Sequence, residues 1–199
     1  EVTIGVVGKY IDLKDAYKSL HEALYHASFH NNVKLKINYI DSEDLQKDTP
    51  KNLLSDCDGI LVPGGFGNRG FEGKISAIKY AREKNIPFFG ICLGLQMAVI
   101  EYARNVCDLK NANSRESGRK IKDFVIDIME DQKNLDSKGG NMRLGDYPCE
   151  IKKSTKVAEA YRKTKILERH RHRYEVNPKY HNILSKKGLI LSGLSPDGK

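Results

Sequence analysis

Cys92 stands between Gly90 and Gly94 in the stretch FFGICLGLQ, residues 88–96. A packed thiol has no need of glycine on both sides, whereas a nucleophile on a sharp turn does. The pattern is the thiol counterpart of the Gly-x-Ser-x-Gly nucleophile elbow, where a tight strand-to-helix turn exposes the nucleophile and small neighbours relieve the crowded backbone. A helix that follows would aim its unpaired N–H groups at the sulfur and favour the thiolate, the attacking species. The N–H of Leu93 would supply one oxyanion donor. A second would come from another loop, and PGGFGNRG, residues 63–70, is the candidate, because glycine lets a backbone N–H approach a ligand closely. One such donor typically lowers a barrier by about 3 kcal/mol. The bland alternatives are a small buried thiol for Cys92 and a surface turn for 63–70.

A thiolate nucleophile also needs a proton shuttle, usually histidine. His21, His26 and His30 fall on an early helical segment and read as surface or boundary residues. His170 and His172 lie in RHRHR, residues 169–173, on a run that alternates like a strand. Alternation sets Arg169, Arg171 and Arg173 on one side and His170, His172 and Tyr174 on the other. A zinc site there lacks cysteine partners at ligand spacing. A solvated basic strand or a phosphate-binding stripe is the other reading.

The elements that must position these residues follow one another in a regular order. VTIGVV is a buried-type strand closed by Gly8. Residues 15–32 have helical period, with Tyr17, Leu20, Ala23/Leu24, Ala27 and Phe29 on one broad face, Asp15 as N-cap and Asn31-Asn32 as stop. VKLKINYI is a strand, DSEDLQ a short crossover, and CDGILVPGG, 57–65, another buried strand. EGKISAIKYAREKN is a helix with Ile75, Ile78 and Ala81 inward. IPFFGI is a strand, and the helix after it places Leu95, Ala98, Val99 and Tyr102 on one stripe. Such alternation builds an α/β fold: an open, doubly wound, mostly parallel sheet with helices on both faces. Sites in these sheets lie at the carboxyl ends of the strands, where both 64–70 and Cys92 fall.

The second half is less regular and predicts an added antiparallel portion. DFVIDIM (123–129) is strand-like and DQKNLDSKGGNMRLG a polar loop. YPCEIKKSTKVAEAYR reads as a strand then a short helix, ILERHRHRYEVN as a strand, PKYHNIL as a helical turn and GLILSGL as a strand. The Pro196-Asp197-Gly198 turn signal at the end predicts a single domain over 1–199, cut before the strand that should follow.

The 199 residues are 39% hydrophobic and 30% charged, an ordinary balance for a chain that folds around its own core. No run of apolar residues is long enough for a membrane span. Four cysteines without CxxC spacing predict a reduced, cytoplasmic chain with one interesting thiol. The net charge of +8 hints at nucleic acid, but its distribution weakens that hint. Basic and acidic side chains number 12 and 12 in residues 1–100, 9 and 10 in 101–150, and 13 and 4 in the last 49. Either this end is a basic surface or an acidic segment follows it.

Taken together, GILVPGGFGNRGFEGKI, NIPFFGICLGLQMAVIEYARNV, NANS, GGNMRLG, ERHRHRYEVN and VTIGVVGKYIDLKDAYKSLHEAL resemble the glutaminase domain of the CTP synthase family. That domain is a class I, or triad, glutamine amidotransferase with a flavodoxin-like fold, and the resemblance runs from Val2 to Gly198. It implies hydrolysis of L-glutamine to glutamate and ammonia through a cysteine thioester at Cys92. The oxyanion hole is implied to be Gly65 and Leu93. The glutamine-binding set is implied to be Gly65, Phe66, Leu93, Gly94, Leu95, Gln96, Glu116, Arg173 and Tyr174, with Glu116 receiving the α-ammonium. No cofactor or metal is implied for this domain. The family's N-terminal amidoligase domain uses ATP and Mg to aminate UTP to CTP, GTP is the allosteric activator, and the full enzyme is expected to be a homotetramer. The family's catalytic His and Glu lie in a His-Pro-Glu segment that these 199 residues do not contain. His170 and His172 then match the substrate strand and not the base, and Glu116 is followed by Ser117 where the family usually has an aromatic residue. The readings from other classes are a catalytically incomplete glutamine-binding or regulatory module and a basic nucleic-acid-contacting domain.

Overall fold

The computed structural model describes residues 1–9, 14–118, 121–128 and 142–198. They fall into two compact units, Glu1–Glu101 and Tyr102–Lys199. The expected polar loop lies largely outside the described residues, including 131–140 and the first part of GGNMRLG.

The first unit is built on β1 (Val2–Gly8), which pairs in parallel with β2 (Leu35–Asp41) along its whole length and with β3 (Gly59–Val62) on its other edge. β4 (Phe88–Gly90) adds in parallel to β3, giving the order β2-β1-β3-β4. The last four residues of β1 and all four of β3 are buried, as apolar runs covered on both faces require. Four helices connect and follow these strands: α1 (Lys18–His30), α2 (Pro50–Leu54), α3 (Phe71–Lys84) and α4 (Leu93–Asn105). The step from β1 out to β2 runs opposite to the steps from β2 to β3 and β3 to β4. Right-handed crossovers therefore put α1 on one face and α2 and α3 on the other. The order reverses between β1 and β3, so the crevice of this doubly wound sheet opens at their carboxyl ends.

The expected inward face of α3 is borne out: Ile75, Ile78 and Ala81 are buried. The face of α1 is not the expected one. Phe29 is 78% exposed and Ser28 is buried instead, with Leu20 and Leu24 half-buried. The helix begins only at Lys18, after a 3-10 turn over Lys14–Tyr17, and the tighter winding of that turn shifts the phase. Tyr17, not Asp15, holds the N-cap position, while Asn31 ends the helix as expected.

In α4 the expected stripe fails at its first member. Leu95 is 52% exposed, whereas Leu93, Met97 and Ile100 are buried. The phase is set by Gly94, which packs on the backbone of β3 so closely that a Cβ there would lie 2.0 Å from the Val62 carbonyl oxygen. A Cβ on Gly90 would lie 2.6 Å from the Gly94 carbonyl carbon. Both glycines are there because strand end and helix start approach backbone to backbone. Further along, the buried Glu101 carboxylate takes Nε and Nη2 of Arg82 at 2.8–3.1 Å and ties α4 to α3.

A lysine on α3 is buried among neutral oxygens. Lys74 of α3 donates to Ser42 Oγ at 3.0 Å and reaches the carbonyls of Arg69 and Gly70 at 3.4 Å. Burial first, and the neighbouring Lys9 second, pull its pKa down to about 8.

The second unit holds two three-stranded sheets. In one, β5 (Asn113–Ser114) runs parallel to β6 (Phe124–Ile128), which pairs antiparallel with β9 (Tyr174–Val176). In the other, β7 (Arg143–Ile151) lies between β8 (Lys165–His172) and β10 (Gly193–Leu194), antiparallel to both. α5 (Lys156–Tyr161) links β7 to β8, and α6 (His181–Lys186) follows β9. Val125, Ile126, Ile151 and Leu184 are buried here. The strand expected from GLILSGL shortens to two residues, and Gly198 closes the expected turn onto the Ser195 carbonyl at 2.8 Å. The largest correction concerns ERHRHRYEVN. It is two strands in two sheets, and Arg173 sits at the break, so it does not continue the Arg169–Arg171 side. Among the described residues no helix is long and apolar enough to cross a membrane.

Gly94→Ala should destabilise the chain by about 3 kcal/mol in urea denaturation, because backbone on both sides must yield. Gly65→Ala, whose Cβ would meet nothing nearer than 3.5 Å, should stay within about 1 kcal/mol of the parent. For Lys74 the sign follows from a lowered folded-state pKa on a base. Between about pH 8 and 10.5 the unfolded chain holds a proton that the folded chain has released. The stability of the parent relative to Lys74→Met should therefore rise through that window, by up to about 3 kcal/mol, read from paired urea midpoints at pH 7 and above 10.

Candidate active site

Cys92 occupies the one-residue elbow between Ile91, bonded to the Val62 carbonyl at 3.0 Å, and Leu93, the first residue of α4. Its φ is 54°, the left-handed region that a residue with a Cβ rarely adopts. Ile91 O accepts from the Gly94 N–H at 2.9 Å and Cys92 O from the Gln96 N–H at 3.1 Å, so the turn is closed on both sides of the thiol. The Cys92 side chain is neither buried nor free in solvent. Leu93 opens α4, so its N–H precedes the first intrahelical bond.

The loop after β3 faces this elbow. A Cβ on Gly64 would lie 3.4 Å from Cys92 Cβ and 3.9 Å from its Sγ, and one on Gly65 would lie 3.5 Å from Leu93 Cδ2. The loop is tied down, contrary to the reading as a free surface turn. Lys9, at the carboxyl end of β1, donates its Nζ to the Phe66 carbonyl. Arg69 donates to the Lys9 carbonyl at 2.7 Å and pairs with Glu43 at 3.1 Å, and Lys74 holds the loop's end from below. The phenyl ring of Phe66 and the side chain of Leu95 stand exposed, while Gln96 is buried. The structure thus brings together Cys92, Leu93, Gly94 and the 64–66 loop. It adds Lys9 and Lys74, which sequence reasoning missed. The signals were a lysine directly after a buried strand and a lysine at an inward helical position one turn before Ile78.

The other three thiols have a different environment. Cys57, Cys107 and Cys149 are free thiols, and burial pushes the pKa of each upward, toward the protonated, unreactive form. Position and backbone strain set Cys92 apart from them.

In the second unit, Glu116 lies in the 3-10 turn Arg115–Ser117 that leaves β5, its N–H bonded to Ser114 Oγ at 3.1 Å. Arg115 grips Asp127 of β6, Nη2 to Oδ2 at 3.0 Å, and covers the Phe124 ring at 4.2 Å. That fastens the turn over the end of β6, where Ile128 pairs with Tyr174. Glu116, Arg173 and Tyr174 therefore gather at one end of the β5-β6-β9 sheet. A carboxylate and a guanidinium gathered there are suited to the two charges of an amino acid's α-carbon. His170 and His172 belong to β8, in the other sheet, with Nδ1 of the first 2.7 Å from Nε2 of the second.

Comparison with known proteins extends this geometry. Residues 12–199 match the family Glutamine amidotransferase class-I. CTP synthase of Methanocaldococcus jannaschii is 56% identical over 205 residues, covering 100% of this chain and 38% of that protein. CTP synthase of Clostridium acetobutylicum is 57% identical over 199 residues, covering 100% of this chain and 37% of that protein. The chain thus spans less than two-fifths of the length of these relatives. Among solved structures, the Trypanosoma brucei CTPS glutaminase domain with bound acivicin superposes with a TM-score of 0.91 at 42% identity, covering 100% of this chain and 77% of that one. With an elbow cysteine, a glycine loop against it and this likeness along its whole length, the chain belongs to the class I glutamine amidotransferases, as a glutaminase domain of the CTP synthase kind.

Proposed function

We propose that this domain hydrolyses L-glutamine to glutamate and ammonia with Cys92 as nucleophile, and that the ammonia serves amination of UTP to CTP on an amidoligase domain of the same polypeptide. The observation that carries the reading is Cys92 at φ 54°, held between Gly90 and Gly94 with Gly64 against its side chain. The Cys92 thiolate attacks the side-chain amide carbon, a C–S bond forms, and the carbonyl π pair moves to oxygen. The Leu93 and Gly65 N–H groups stabilise that oxyanion. Collapse expels ammonia once a general acid has protonated the nitrogen, and water then cleaves the thioester to glutamate. Glu116 receives the substrate's α-ammonium. Arg173, Tyr174, Phe66, Gly94, Leu95 and Gln96 complete the glutamine contacts.

The proton shuttle belongs, in this reading, to a His-Glu pair that these 199 residues do not contain. The mutual pairing of His170 and His172, one nitrogen of each ring, is in keeping with this. ATP and Mg act on the ligase domain, GTP activates the coupled reaction, the assembly is a homotetramer and the setting is the cytoplasm. The family likeness over the whole chain supports each of these.

An electrophilic glutamine analogue should label Cys92 alone among the four cysteines, read by peptide mass spectrometry. Label on Cys57, Cys107 or Cys149 with Cys92 untouched would remove the nucleophile assignment. Glutamine turnover by the 199-residue chain should be at least about a hundredfold slower than by a chain extended through the following strands. Equal rates would place the base within these residues.

A further inference from the structure

β8 carries His170 and His172 two residues apart, hence on one face, opposite Gly145 and Arg143 of β7. The chain then breaks at Arg173, and β9 brings Glu175 back beside them. His172 Nε2 lies 2.7 Å from His170 Nδ1 and 3.5 Å from Glu175 Oε1. One ligand atom from each of the three residues falls within 4.8 Å of the others. The side chains of His172 and Glu175 are only 17% and 29% exposed, so the cluster is held in place yet open to an ion. We propose that His170, His172 and Glu175 bind one divalent transition metal of the zinc class, at the junction that carries Arg173.

The donor set fits that class. Two imidazoles and a carboxylate leave a fourth tetrahedral position for water. Coordination through His172 Nε2 requires the proton to sit on Nδ1. That atom is buried with no hydrogen-bond partner among the described residues. A neutral imidazole holds one ring proton; with it on Nε2 of His170 and on Nδ1 of His172, the two facing nitrogens are both open to the metal and uptake releases no proton. Burial, ahead of the nearby Arg143 charge for His170, lowers both histidines toward the neutral, ligating form. Arg143 Nη1 donates to Glu175 Oε1 at 2.7 Å, the same oxygen that faces His172, and its guanidinium lies 4.1 Å from the centre of the Tyr147 ring. Glu175 would thus meet a metal through an oxygen it shares with that donor. The metal class follows from the two imidazoles, which suit Zn²⁺ or Co²⁺, whereas Mg²⁺ and Ca²⁺ take oxygen ligands. Because His172 and Glu175 bracket Arg173 and Tyr174, the ion would pin the break between the two sheets.

The full chain, stripped with chelator and titrated with Co²⁺, should develop visible ligand-field absorption saturating at one equivalent and reversed by Zn²⁺. His170→Asn and His172→Asn should each abolish it, Glu175→Gln should weaken binding at least tenfold, and Cys149→Ser should leave it unchanged. X-ray absorption of the Zn²⁺ complex of the unsubstituted chain, which needs no variant to fold, should show a nitrogen and oxygen shell at about 2.0–2.1 Å and no sulfur. Absence of Co²⁺ absorption overturns the proposal. So do binding that survives both histidine substitutions and a sulfur shell near about 2.3 Å.

Discussion

The contact on which the first unit depends is backbone on backbone: the first turn of α4 laid against the carbonyl of Val62 at the end of β3. Only glycine at position 94 permits it. Once α4 is seated there, its phase follows, with Leu93, Met97 and Ile100 inward and Leu95 outward. The elbow is then forced to close in one residue, and that residue must take a positive φ. The same approach brings the end of β3, and so the Gly64–Gly65 loop, against the thiol. Site geometry and helix packing are thus one constraint seen from two sides.

Charge completes what packing begins. Lys9 and Arg69 fasten the glycine loop to the carboxyl end of β1, at the point where the strand order reverses, and Lys74 supports the same loop from within. In the second unit Arg115 and Arg143 do comparable work, each bonded to a carboxylate of the β6–β9 sheet, Asp127 or Glu175. Arginine suits these places because its planar fork holds a carboxylate in fixed orientation.

Much of this was legible in the sequence. The alternation of apolar runs with helical periods gave the parallel sheet, and glycine around Cys92 and through 64–70 marked the elbow and its facing loop. What escaped did so for identifiable reasons. The pattern of ERHRHRYEVN keeps its period of two across Arg173, and periodicity has no means of distinguishing one strand from two in different sheets. Leu95 reads as inward because hydrophobicity does not reveal the starting phase of a helix fixed by a glycine contact. Phe29 fails likewise, through a 3-10 turn that periodic reasoning counts as ordinary helix. Lys74 was passed over because a single cation on an apolar face averages away in the periodicity.

The strained backbone at Cys92 also has an evolutionary side. A residue with a Cβ in the left-handed region costs about 1–2 kcal/mol, and glycine at the same place would not. Selection for stability alone would drift position 92 toward glycine and relax the turn. A cysteine kept there is a continuing concession of thermodynamic stability to reactivity. A lineage that no longer needed the thiol would have a downhill path to a sturdier protein of the same shape.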